Sequence, residues 1–223
     1  MRALIAGSSG LVGRACLETL LHHPAYARVT SYGRRPLGIT HPRLVERIVA
    51  LDGMDAEPPE PADHAFCALG TTIKTAGSQE AFRRVDLLMV SSFAAYARRS
   101  GAATFVLVSS VGANARSSNF YLRTKGQAED AVARLGFERL RILRPGLLLG
   151  ARADRRAGER TAQRVMPWLS AILVGPLRAY GSIAGRTVGA GMVGTALAGE
   201  MGTVVLRNDG IEAAAHAAGT EAV

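Results

Sequence analysis

The sequence predicts an α/β fold built on a doubly wound parallel sheet, and three observations carry that reading. Short apolar runs alternate with segments of helical periodicity along most of the 223 residues. The first apolar run breaks into glycines at a spacing of three, and a helix follows. Glycine and proline punctuate the segment ends, as they do where strands hand over to helices. Strands joined through helices need crossover connections, which set them parallel and cover both faces of the sheet. Ligands of such sheets sit at the carboxyl ends of the strands.

Taken in chain order, "ALIA" before Gly7 reads as a buried strand. Leu11, Ala15, Leu17 and Leu20/Leu21 give the next segment a helical period, with no breaker before Pro24. "RVTSYG" is a second strand, closed by Gly33 and Pro36, and "LVERIVALD" is a third strand region running to Asp52. The proline-rich "DGMDAEPPEPAD" is a surface loop. "HAFCALG" is a fourth strand that stops at Gly70, and residues 78–101 have one continuous helical period ending at Gly101. "ATFVLVSS" is the fifth strand, "KGQAEDAVARLG" a helix ending at Gly136, and "RLRILRPGLLLG" the sixth strand. Residues 151–186 break the alternation and are expected to cover the strand ends as a helix with loops, enclosing a substrate. "GTVVLRNDGIEAAA" reads as a last edge strand and a loop. One domain over 1–223 accommodates all of this.

Composition narrows the function classes. The chain is 48% hydrophobic and holds two cysteines. Cys16 and Cys67 fall in a helix and a strand, which argues against a disulfide framework, and neither their spacing nor the dispersed histidines suggest a metal. Cys67 reads as a core cysteine rather than a redox thiol. The first apolar run is too short for a secretory leader, and no segment has the length of a membrane span. A soluble cytoplasmic protein without a membrane partner is therefore expected. The net charge of +9 is almost all arginine, since Lys74 and Lys125 are the two lysines. Arginine pairs at 34, 83, 98 and 155 are scattered, which reads as a solvated basic surface and argues against a nucleic-acid stripe. Trp168 with Met166 and Leu169 reads as a lid or as a subunit contact that would make a homodimer.

Two constellations carry chemistry. Gly7, Gly10 and Gly13 form a G-x-x-G-x-x-G turn between strand and helix. One glycine serves the turn, one lets the backbone approach a pyrophosphate, and one lets the helix pack on the strand. Ser9, Leu11 and Val12 belong to the same turn, whose first helical amides suit a bound phosphate. An acidic residue ending the second strand would bind the ribose of NAD. Here Gly33 is followed by Arg34 and Arg35, whose guanidiniums suit the 2'-phosphate of NADP, with NAD left open. Asp52, at the end of the third strand region, is counted with the cofactor residues.

The second constellation is Tyr121 with Lys125, four residues apart at a helix start and so on one face. An ammonium beside a phenol, together with a cationic nicotinamide, favours the phenolate and so eases proton exchange. Lys125 would supply that charge and hold the nicotinamide ribose. Ser109 or Ser110, at the end of the fifth strand, would donate a hydrogen bond to a substrate carbonyl while Tyr121 protonates its oxygen.

The glycine turn, the "LVSS" strand end and Tyr121-x-x-x-Lys125 resemble the short-chain dehydrogenase/reductase superfamily, and "RPG" at 144–146 resembles its extended, epimerase-like branch. "CALGTT" at 67–72, "FRRVD" at 82–86 and "SSNFYLRTKGQAE" at 117–129 resemble its atypical group, which includes the Tat-interacting oxidoreductase and small bacterial relatives. The likeness covers residues 1–160. It implies an NAD(P)-binding Rossmann fold and hydride transfer to or from a small carbonyl or alcohol. It further implies that Gly70 and Thr71 line the cofactor and that Ser109, Tyr121 and Lys125 are catalytic, with Ser110 as the alternative serine. Two departures stand out. Asp86 lies at about the place where many members carry a relay asparagine, and the chain leaves little room for the nucleotide-sugar domain of an epimerase. The rival reading is an NADP(H)-sensing regulator that acts through a protein partner without turnover; such relatives generally lack the Tyr and Lys pair.

Overall fold

The computed structural model describes residues 1–149 and 181–220. Of the segment expected to cover a substrate, residues 151–180 lie outside the described residues, and Met166, Trp168 and Leu169 with them. Seven strands form one parallel sheet: β1 (Arg2–Ala6), β2 (Arg28–Gly33), β3 (Leu44–Ile48), β4 (His64–Cys67), β5 (Thr104–Val108), β6 (Arg139–Leu143) and β9 (Gly202–Leu206). Their order is β3-β2-β1-β4-β5-β6-β9, with the direction of winding reversed between β1 and β4. That is the doubly wound topology, and the reversal opens a crevice at the carboxyl edge.

Alternation along the strands feeds two cores. Leu4, Ala6, Phe105 and Leu107 face a cluster with Phe93 and Tyr96 of α4 (Val90–Arg99) and Val132 of α5 (Phe120–Ala133). Ala3, Ile5, Val106 and Val108 face the other cluster, with Leu17 and Leu20 of α1 (Leu11–His22) and Val188 and Met192 of α6 (Gly185–Leu197). The remaining described helices are α2 (Ile73–Ala76), α3 (Gln79–Arg83) and α7 (Asn208–Thr220).

Four departures from the sequence reading have physical causes. Residues 139–150 are not one strand, because β6 ends before Arg144-Pro145 and β7 (Leu147–Leu149) pairs with β8 (Ser182–Ala184) in a separate sheet. Residues 78–101 are not one regular helix, since α3 and α4 are joined by a π-helical turn over Arg84–Met89. The end predicted for that segment holds, with Gly101 in the left-handed region at φ +85°. The stretch after β9 is α7 rather than a loop. Helix α6 goes unread in the sequence because Gly185, Gly189, Gly191 and Gly194 weaken any helical expectation.

Arg141 departs from the solvated basic surface expected of the scattered arginines. Arg141 is buried, and its guanidinium donates to the carbonyls of Thr195 (3.3 Å), Gly202 (3.0 Å) and Glu200. It thus serves the C-terminal end of α6 and the start of β9.

A buried histidine gives the fold a pH dependence. His64 Nδ1 and Tyr26 Oη lie 2.8 Å apart in the second core, and burial, with Arg139 nearby, depresses the imidazole from 6.5 to about 4. The unfolded chain therefore takes up the proton first, and stability present above pH 6.5 is lost on acidification towards pH 4. The slope is about 1.4 kcal/mol per pH unit. Denaturant melts between pH 6.5 and 5 are expected to show a loss of about 2 kcal/mol that His64→Gln does not share; equal losses in both proteins would exclude His64 as the cause.

Candidate functional site

Because the seven strands are parallel, every strand-end loop the sequence singles out emerges on one edge. Along the sheet order these are Asp52 beyond β3, Arg34 and Arg35 after β2, the glycine turn after β1, Gly70 and Thr71 after β4, and Ser109 after β5.

The glycine turn has no room for a side chain at Gly7 or Gly13. Gly7 lies at φ +92°, and a Cβ there would stand 2.5 Å from the Ala68 carbonyl, so the turn is pressed against the loop after β4. A Cβ on Gly13 would stand 2.1 Å from the Gly7 oxygen, so the first turn of α1 rests on that loop. Gly10 is the N-cap and brings no capping side chain, and the first turn contains no acidic residue. The amino end of a twelve-residue helix is therefore offered, with favourable dipole, to an anion. Ser8 is buried with its hydroxyl 2.8 Å from that of Ser31, while Ser9 is exposed.

On the β2 side, Arg34 and Arg35 are exposed. Asp52 accepts hydrogen bonds from Arg84, with Nε at 2.8 Å. These bonds, with Arg34 adding its charge, hold the Asp52 carboxyl below the usual range. Asp52 is thus tied into an arginine-rich rim rather than standing as a lone carboxylate.

The other half of the site is built around Lys125. Asn119 caps α5 by accepting from the Leu122 amide, which starts the helix in time to set Tyr121 in its first turn and Lys125 one turn on. The ring of Tyr121 packs against the buried Phe82, with centroids 5.5 Å apart. Gly126 lets α5 seat on the loop after β5, where a Cβ would stand 2.1 Å from the Ala115 amide. The Asn114 amide donates to the Leu122 carbonyl (3.1 Å), so the loop that begins at Ser109 is fastened to the helix that carries Tyr121.

Lys125 Nζ lies 2.8 Å from Asp86 Oδ1, and both side chains are buried. Burial alone lowers the ammonium's pKa, but Asp86 and Tyr121 outweigh it and hold it above the ordinary lysine value. Asp86 Oδ2 also accepts the Thr71 amide at 2.9 Å, and a Cβ on Gly70 would stand 3.5 Å from Nζ. Gly70-Thr71, Asp86 and Lys125 are therefore one packed unit, and the π-helical turn presents Asp86 to it. Such turns recur at functional sites. Cys67 ends β4 beside this pair; it is fully buried, and its thiol is pushed up to about 12, first by burial.

The two serines separate clearly. Ser110 Oγ donates to the Val111 carbonyl at 3.3 Å. Ser109 is buried, its amide donates to Leu143, and its Oγ has no hydrogen-bond partner among the described residues. A buried hydroxyl without a partner is costly and calls for an explanation, and a ligand oxygen supplies one. Arg144 of the "RPG" element makes a two-armed pair with Glu129 of α5 (3.0 and 2.5 Å) and so braces the helix.

The glycine cradle suits a dinucleotide and the unpartnered Ser109 hydroxyl suits a ligand oxygen, and the fold and these motifs together define a short-chain dehydrogenase/reductase domain. No family model matches the chain. It is 39% identical over 156 residues to Protein FMP52-1, mitochondrial, of Scheffersomyces stipitis, covering 68% of this chain and 69% of that protein. It is 37% identical over 165 residues to Protein HTATIP2 of Rattus norvegicus, covering 72% and 68%. The chain belongs to the FMP52 and HTATIP2 family, an atypical short-chain group, as the quoted motifs imply. Among solved structures, a superfamily protein from Agrobacterium tumefaciens with bound NAD matches with TM-score 0.70 at 17% identity, over 94% of this chain and 78% of that one. MoeE5 in complex with UDP-glucose and NAD matches with TM-score 0.66 at 18% identity, over 92% and 75%. These two likenesses establish the fold.

The comparison corrects one expectation. The fungal relatives, at 34–39% identity, are named as mitochondrial proteins, against the cytoplasmic location read from the sequence. That reading weighed a secretory leader and a membrane span, and neither bears on an organelle address read from arginine-rich amphipathic segments.

Proposed function

We propose that this protein is an NADP-preferring oxidoreductase that transfers hydride to or from a small carbonyl or alcohol. The observation that carries the reading is the buried Ser109 hydroxyl without a partner, on the sheet edge that also bears the glycine cradle and the Lys125 cluster. When bound, the nicotinamide supplies or accepts the hydride. Gly7, Gly10 and Gly13, with Ser9, Leu11 and Val12, hold the pyrophosphate. Arg34 and Arg35 take the 2'-phosphate, Asp52 orders the arginine rim beside them, and Gly70 and Thr71 line the middle of the cofactor. Lys125 holds the nicotinamide ribose, Ser109 donates to the substrate oxygen, and Tyr121 exchanges its proton with that oxygen. The chain as a single domain of 1–223 is part of the same proposal.

Fluorescence titration of NADPH and NADH tests the cofactor half. Tighter binding of NADPH is expected, with the preference erased in Arg34→Ala/Arg35→Ala; two bidentate-capable guanidiniums support a loss of about tenfold to a hundredfold for NADPH alone. Equal binding of the two nucleotides by the wild type would refute NADP preference. A panel of small carbonyls with NADPH tests the other half, where binding without any turnover would favour the sensing regulator.

A further inference from the structure

The two edges of the parallel sheet are finished differently. β3 carries Glu46 and Arg47, and the Leu37 amide donates to the Glu46 carboxylate at 2.7 Å, so charge and a loop guard that edge. Outside β9 no described strand lies, and Gly202–Leu206 contains neither a charge nor a proline. Strands of a parallel sheet are normally covered on both faces. Here Leu206 packs against the second core, while Met201 and Val205 are 61% and 45% exposed, and Thr203 is exposed with them. The strand is nonetheless held firmly at its start, because the buried Arg141 donates to the carbonyls of Glu200 and Gly202. A rigid, neutral, β-branched edge is a template for another strand.

The hydrogen bonds to β6 fix which groups that edge offers. The Gly202 amide donates to the Glu138 carbonyl, and the Leu206 carbonyl accepts from the Arg144 amide, both at 2.8 Å. The even-numbered residues therefore turn their backbone groups to β6, and Thr203 and Val205 turn theirs outward. About a two-fold axis at Val204, Thr203 and Val205 of one copy would exchange N–H···O bonds with Val205 and Thr203 of a second, and Val204 would face its own counterpart as a non-hydrogen-bonded pair. Charge at the strand ends matches this arrangement. The exposed Glu200 precedes β9 and the exposed Arg207 follows it, so the axis brings each carboxylate to the end where the other copy's guanidinium lies.

We propose that β9 is a homodimer interface, at which a second copy of this chain adds its own β9 antiparallel and makes one continuous sheet across the two-fold. The guarded β3 edges then lie at the two ends, and growth stops at the dimer. This inference does not depend on the reading of the catalytic residues, and the nucleotide titrations bear on neither arm of its test.

Sedimentation velocity of the wild type at micromolar concentration is expected to show a dimer. Val205→Lys places a charge on each copy's pairing edge and is expected to raise the dimer dissociation constant by about tenfold or more. Oxidative cross-linking reads the register. In a non-hydrogen-bonded antiparallel pair the Cα atoms are about 4.5 Å apart, within the range of about 4.4–6.8 Å that a disulfide spans. Val204→Cys is therefore expected to form a covalent dimer, whereas Thr203→Cys, opposite Val205 of the second copy, is not. The native Cys16 and Cys67 are buried and leave the background low. A monomeric wild type overturns the proposal, and so does a dimer that Val205→Lys leaves intact or that Val204→Cys fails to cross-link. Should Val205→Lys fail to fold, the two cysteine variants decide alone.

Discussion

Tyr121→Phe is expected to bind NADPH as the wild type does and to lose turnover by about a hundredfold to ten-thousandfold, the usual contribution of a positioned acid or base. The substitution removes one oxygen and keeps the ring, which packs on Phe82 at 5.5 Å, so the helix start and the cradle are undisturbed. Its measured effect is then the proton step alone, read as kcat on any carbonyl that the wild type reduces. Ser109→Ala is expected to lower kcat/KM as well, because its hydroxyl has no structural partner to lose. Ser110→Ala is expected to change little, since that hydroxyl serves only the Val111 carbonyl. A Tyr121→Phe enzyme that keeps its rate within about threefold would show that another group supplies the proton, and the catalytic reading of Tyr121 would fall.

What could be read in advance follows from how local each signal is. The glycine turn declares itself because Gly13 answers to the Gly7 carbonyl and Gly7 to its own positive φ, both within one strand-turn-helix unit, whereas the contact of Gly7 with Ala68 after β4 is not local. Tyr121 and Lys125 declare themselves because a single helical turn joins them. The partner of Lys125 does not, since Asp86 is 39 residues distant and reaches it from a π-helical turn. One residue wound in at a different pitch shifts the phase of everything after it, so a continuous helical period over 78–101 cannot say which way Asp86 faces. The choice between Ser109 and Ser110 was equally out of reach, because adjacent residues at a strand end differ only in which one the neighbouring strand covers. Arg141 defied its residue type: arginine is seldom buried, and the carbonyls it serves belong to α6 and to the approach to β9, far along the chain. Helices α6 and α7 were hidden from each other's evidence, for a glycine-rich helix makes sense only beside the helix that fills its missing side chains.

Gly194 is where that last relation can be measured. In a free helix, alanine for glycine gains about 1 kcal/mol. Here a Cβ would stand 1.9 Å from the Ala214 carbonyl oxygen and 2.8 Å from its carbon, which are backbone atoms of α7 and cannot turn aside. The helices must separate, and Met192 and Val193 of α6 and Ile211 of α7, all fully buried, lose contact with the core. Overpacking of this kind costs about 1–3 kcal/mol, more where backbone must move, and the loss of core contacts adds to it. The clash therefore outweighs the propensity, and Gly194→Ala is expected to be less stable by about 2 kcal/mol or more, a drop of about 4–8 °C in melting temperature. Gly219→Ala supplies the opposite case on α7, since nothing lies within 4 Å of its would-be Cβ. There the propensity acts alone, and a neutral or slightly raised melting temperature is expected. If both substitutions stabilise, the close contact of α6 with α7 is wrong, and the glycines of α6 need a different cause.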